Sequence, residues 1–127
     1  MKEAIRAKAL ELGFDAVGFA PANGDWSAGL KAFVADGRHG TMAGMEERRE
    51  QRAAPQGLWP EVRSVVVLGC NYAPSGDPLS TLAHPERGHV SVYARNKDYH
   101  DLMKRRLKAL GRWMAEQYGC ALKVFVD

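Results

Sequence analysis

Arg95-Asn96-Lys97-Asp98-Tyr99-His100 places a guanidinium, an amide, an ammonium, a carboxylate, a phenol and an imidazole at six consecutive positions. A helix starting at Asp98 would present these groups at its N-terminus, where free backbone N–H groups and the helix dipole favour anionic or amide-rich ligands. The plainer reading is a capped surface helix with a solvated polar start. A second candidate is Asp127, which follows the apolar Val124-Phe125-Val126. At the carboxyl end of a buried strand, desolvation would raise its pKa and make it a proton donor. A solvated chain-end acid is the alternative. The third is a run of cations, Lys104, Arg105, Arg106, Lys108 and Arg112, preceded by Arg95 and Lys97. Such a stripe can follow a phosphate backbone, and it can equally be the solvated face of an amphipathic helix.

Other chemistry has little support. There is no GxGxxG, P-loop, GxSxG or HExxH pattern. His39, His84, His89 and His100 have no metal-ligand spacing, so no zinc site is expected. His100 reads as a polar residue of the helix start rather than a catalytic base. Cys70 and Cys120 lie far apart in apolar surroundings and read as buried free thiols.

The elements that would position these groups follow from periodicity. Tyr99, Met103, Leu107, Leu110 and Met114 recur at helical spacing, which predicts a long helix over 98–118 with Asp98 as its cap and Gly119 as its stop. Residues 2–13 form a first helix ended by Gly13, and Phe14–Ala20 a short strand. Asp25 or Ser27 caps a second helix to about Ala35, which Gly37-Arg38-His39-Gly40 breaks. The run 46–52 is a charged, solvated helix, and Leu58-Trp59-Pro60 is a rigid corner. Ser64–Cys70 is apolar on both faces and is placed in the middle of a sheet, with further strands over 90–93 and 121–126. Residues 74–85 form a polar loop. The expectation is one α/β domain, 1–127, with a mixed sheet flanked by helices.

At 127 residues, with a formal charge of +3 and ordinary composition, the chain can build one real core and gives no charge-based argument for nucleic acid. No apolar run approaches the roughly 20 residues of a membrane span, and Met1–Arg6 leads into a charged helix rather than a secretory signal. The expectation is a cytoplasmic protein without membrane contact. A chain ending on an apolar strand reads as a fragment or a natural truncation.

In order and spacing, several stretches resemble the N-terminal region of the epoxyqueuosine reductase family, cobalamin-dependent iron–sulfur enzymes of queuosine-tRNA maturation. They are Leu10-Glu11-Leu12-Gly13-Phe14 with Val17-Gly18, Gly40-Thr41-Met42 with Met45, Arg52 with Pro55, and Leu58-Trp59-Pro60. Ser64-Val65, Asn71-Tyr72, Lys97-Asp98-Tyr99-His100 and Phe125-Val126-Asp127 continue the series. The resemblance implies part of a nitroreductase-like, cobalamin-binding α/β core. It also implies reduction of epoxyqueuosine to queuosine in tRNA, with cobalamin as reductant fed by two [4Fe–4S] clusters. The sequence points to no particular electron donor.

Three positions match functional ones of that family. Asp127 matches its proton donor, close to the cobalamin, Arg52 matches an arginine that contacts the cobalamin, and Ser91 matches a small polar position beside the corrin. The 97–100 turn matches a family signature that shapes the pocket. There are three departures. Val92 stands where the family often has Arg. Two cysteines cannot replace the cluster ligands, four per cubane, which the family carries later in its chain. The segment that would follow Asp127 and help enclose the corrin is missing. The 127 residues alone are therefore expected to be inactive, and the alternative role is a non-catalytic RNA- or cobalamin-binding module derived from the family.

Overall fold

The structure, a computed structural model, describes residues 1–126; Asp127 lies outside the described residues. Helix α1 spans Lys2–Glu11 and buries Ile5 and Ala9, positions four apart on one face. It stops at Gly13, whose φ of 92° lies in the left-handed region that favours glycine. The chain then forms β1, Ala16–Pro21, which pairs with β2, Ser64–Gly69. Asp15 N donates to Gly69 O at 2.8 Å and Ala22 N to Arg63 O at 3.1 Å, so the two strands are antiparallel.

Between the strands lie α2 (Ser27–Ala35), α3 (Gly44–Glu47), α4 (Arg49–Ala53) and α5 (Pro55–Leu58). Asp25 Oδ1 accepts from Ser27 N at 2.8 Å, but the N-cap position of α2 is Trp26, without a side-chain cap bond, rather than Asp25 or Ser27 as expected. The charge run after Met45 is divided between α3 and α4 rather than forming one helix. Helix α5 starts with Pro55, whose missing N–H costs nothing at that position. After β2 the chain is irregular except for 3-10 turns at Ser80–Ala83 and Val92–Ala94, and then forms α6, Tyr99–Tyr118. Gly119, at φ 61°, ends α6 in the left-handed conformation, its N–H bonded to Ala115 O.

The chain divides into two compact units, residues 1–17 with 68–127, and residues 18–67. The core of the first unit is Ala9, Phe14 and Leu110, with Leu12, Val17, Leu68, Cys70, Met103, Leu107, Trp113 and Met114 packed around them. The apolar stripe of α6 thus faces α1, as its periodicity requires.

The α/β character holds, and the sheet is smaller than expected. Among the described residues it has two antiparallel strands and is not mixed. Ser64–Gly69 is one of that pair rather than a central strand, and Val67 on it is 59% exposed. The run 90–93 is not a strand: its second half winds into the 3-10 turn. Residues 121–126 are not a strand either, since no described strand lies alongside to complete a ladder. This run packs on α6 instead. A methyl group at Gly111 would lie 2.8 Å from Leu122 Cδ1 and 3.7 Å from Val124 Cγ1, while Phe125 is exposed.

Candidate functional site

The start of α6 is built by Asp98. Its backbone is non-helical (φ −51°, ψ 118°), and its Oδ1 accepts from His100 N at 2.9 Å and lies 2.7 Å from His100 Nδ1. The Tyr99 and His100 rings stack with centroids 4.4 Å apart. His100 is therefore tied into the cap, in agreement with its reading as a polar residue of the helix start. The His100 backbone N–H, then its side chain, hold the Asp98 carboxyl below its ordinary pKa. The charges of His100 and Lys104 add smaller contributions in the same direction. A carboxylate favoured in the folded state stabilises fully above its unfolded pKa, about 4, and loses that contribution as pH falls through the lowered value. Asp98→Ala is expected to lower the melting temperature at neutral pH, with the gap to wild type closing in strong acid. A gap constant from neutral pH to strong acid would exclude the cap as the cause.

The segment before α6 is held by its polar groups rather than by burial. Arg95 Nε donates to Val90 O at 2.9 Å and Arg95 Nη2 to Pro78 O at 2.7 Å, clamping the 74–85 loop to the approach to the helix. Thr81 Oγ1 and His89 Nδ1 lie 2.6 Å apart. Ser91 sits at this clamp, extended (φ −57°, ψ 142°) and exposed, with its carbonyl accepting from Ala94 N at 2.9 Å. Its hydroxyl has no partner among the described residues. Tyr72 and Tyr93, 70% and 58% exposed, belong to the same segment. Arg95 was grouped with the solvated basic stripe on sequence grounds. Its clamp depends on two carbonyls that no side-chain pattern reveals.

Arg106 also departs from the stripe. Its Nη1 donates to Gly13 O at 2.8 Å and lies 3.2 Å from Cys70 Sγ, so this cation turns into the first unit and leaves the solvated face. Its position on the helix, about 100° from Arg105, was the signal that it belongs elsewhere. Cys70 and Cys120 are free, as expected, but half-buried rather than buried.

Arg52 lies in the second unit, on α4, exposed, with Nε donating to Gly44 O at 3.3 Å. Its two terminal nitrogens have no partner among the described residues, which leaves the guanidinium fork available. His39, in the break after α2, has a shielded Nδ1 without a hydrogen bond. Arg52 and Ser91 thus belong to different units, and Asp127 is outside the described residues.

The grooves of the second unit are shallow. One of about 250 Å³ is lined by Ser27, Ala28, Lys31, Arg49, Glu50 and Ala53, and one of about 200 Å³ by residues 46–51. Ligand pockets run from roughly 300 to 1,000 Å³, so neither would enclose a group as large as a corrin. Each unit by itself offers open surface, with an exposed guanidinium fork at Arg52 in the second and an exposed hydroxyl at Ser91 in the first. Either group can donate a hydrogen bond to an amide or phosphate oxygen. No group of three or more His, Cys, Asp or Glu among the described residues is arranged to hold a metal ion. No described helix is long and apolar enough to cross a membrane.

Comparison with known proteins gives a consistent answer. The family described as "Epoxyqueuosine reductase QueG, DUF1730" matches residues 52–127. The epoxyqueuosine reductase of Xanthomonas campestris pv. campestris is 36% identical over 97% of this chain and 36% of its own length. That of Escherichia coli K12 is 36% identical over 100% of this chain and 34% of its own. That of Pseudomonas aeruginosa is 34% identical over 100% of this chain and 36% of its own. The chain therefore spans about a third of the length of the curated relatives it matches. No solved structure matches it.

Proposed function

Because the chain belongs to the epoxyqueuosine reductase QueG family, we propose that it forms the N-terminal part of a cytoplasmic, cobalamin-binding catalytic domain, with a nitroreductase-like α/β core, that reduces epoxyqueuosine to queuosine in tRNA. The observation that carries this reading is the similarity to epoxyqueuosine reductases along the whole chain at about a third of their length. The electrons require [4Fe–4S] clusters whose cysteine ligands lie outside these residues, because the chain's two cysteines cannot supply four thiolates per cluster.

Opening and deoxygenating an epoxide to an alkene takes two electrons and two protons, and the oxygen leaves as water. Cobalamin, when bound, supplies the reducing chemistry at the substrate. Arg52 would donate to oxygen acceptors of the cofactor through its unengaged terminal nitrogens, and Ser91, on the segment that Arg95 clamps, would offer a hydroxyl. Asp127 delivers a proton to the departing oxygen, which lowers the barrier by neutralising charge as the C–O bond breaks.

The full-length protein, loaded with cobalamin and iron–sulfur clusters and given a chemical reductant, is expected to convert epoxyqueuosine-containing tRNA to queuosine-containing tRNA. Mass spectrometry of the digested tRNA would show the loss of one oxygen from the modified nucleoside. No conversion under conditions where the Escherichia coli relative is active would overturn the enzymatic reading. Binding of cobalamin or tRNA without conversion would identify the chain with a non-catalytic module.

A further inference from the structure

Helix α6 has two faces with different commitments. Met103, Leu107, Leu110 and Met114 face the core of the first unit, and Arg106 is held by Gly13 O and Cys70. Lys104, Arg105, Lys108 and Arg112 are all exposed and fall within an arc of about 100° on the opposite side. Over two turns these four cations cover about 12 Å of helix. Two acids lie at pairing distance in sequence, Asp101 four before Arg105 and Glu116 four after Arg112. No ion pair forms with either among the described residues. Elsewhere on this surface Arg6 pairs with Glu3, Lys8 with Glu11 and Arg38 with Asp36. The outer face of α6 is thus a row of cations on a rigid element in which Lys104 feels the Asp98 carboxylate, while Arg105, Lys108 and Arg112 form no ion pair among the described residues.

We propose that this face is a docking surface for the phosphate backbone of the substrate RNA, contacted through Arg105, Lys108 and Arg112 with Lys104 at its edge. This rests on the functional reading above, which makes the macromolecular partner a tRNA. A row of unpaired cations on a helix complements a line of phosphates through counterion release, without reading sequence. The outer face carries no large apolar side chain among 104, 105, 108 and 112, as insertion into lipid would require.

The test uses the full-length enzyme and an unmodified tRNA transcript, with dissociation constants measured across a salt series. R105E/R112E is expected to weaken binding roughly ten-fold or more and to reduce the salt slope by about one unit per lost contact, while R105K/R112K retains both. Melting temperatures of the variants should match wild type, since neither side chain packs in the core. R38E/R87E, which reverses two cations outside α6, serves as the control for net charge. Wild-type binding to tRNA with R105E/R112E unchanged would overturn the surface, as would an equal loss in R38E/R87E. Loss of binding to phosphatidylserine vesicles with tRNA binding intact would overturn RNA in favour of a membrane. A wild-type enzyme that binds no tRNA would remove the functional reading itself, and the surface with it.

Discussion

Asp127→Asn in the complete enzyme is expected to lower turnover on epoxyqueuosine-containing tRNA roughly 10²–10⁴-fold. The amide keeps the size of the carboxyl and part of its hydrogen bonding, and it removes the transferable proton. Cobalamin content should stay close to wild type, because the shape of the pocket survives the exchange. The measurement is single-turnover conversion per bound cofactor beside the cobalamin absorbance of the same preparation. Near-normal turnover would remove Asp127 from proton delivery. Loss of cobalamin with turnover per cofactor intact would assign Asp127 to binding alone.

Gly57→Ala is expected to disrupt the helices that carry Arg52. A Cβ at Gly57 would sit 2.1 Å from Glu50 O, 3.1 Å from Glu50 C and 3.6 Å from Gln51 Cα, all backbone atoms of α4. Flexible side chains can rotate away from an added methyl group, but a helix backbone cannot, so α4 and α5 must separate. Overpacking of this kind costs about 1–3 kcal/mol, and a contact with fixed backbone belongs at or above the upper end. The expected results are a lower melting temperature, faster proteolysis within 44–58 and reduced cobalamin retention, because Arg52 moves with α4. Gly29→Ala is the contrasting case. Nothing lies within 4 Å of its added Cβ inside α2, and replacing a helix glycine by alanine stabilises by about 0.5–1 kcal/mol. Equal melting of Gly57→Ala and wild type would show that the two helices have room to spare.

What could be read from the sequence depended on whether the information was local. Helix α6 was legible because its apolar spacing, its Asp98 cap and its Gly119 stop all lie within the helix or next to it. The strand at 64–69 was legible as a strand, and its position in the sheet was not, since β-branched runs specify extended backbone without naming neighbours. The run 121–126 is also largely apolar but packs on α6 through Leu122 and Val124, because strand structure is a state of pairs. Residue type groups Arg106 and Arg95 with a stripe that can be solvated or phosphate-bound, and both are instead committed to carbonyls whose availability depends on the fold. Asp127 is raised by pattern, as an acid following the apolar Val124-Phe125-Val126, whereas Arg52 and Ser91 rest on family resemblance alone, because an exposed Arg and an exposed Ser carry no periodic mark.

The core of Ala9, Phe14 and Leu110 joins segments far apart in sequence, and Arg106 reaches Gly13 across 93 positions. On the ribosome this sets an order of events. At about 5–20 residues per second, α1 waits on the order of 5–20 s after its own synthesis before α6 is complete. Through that interval its face bearing Ile5 and Ala9 has no native partner from α6, while residues 18–67 are already synthesised with all their own contacts within reach. Residues 18–67 can therefore complete their own contacts before α1 gains its partner in α6.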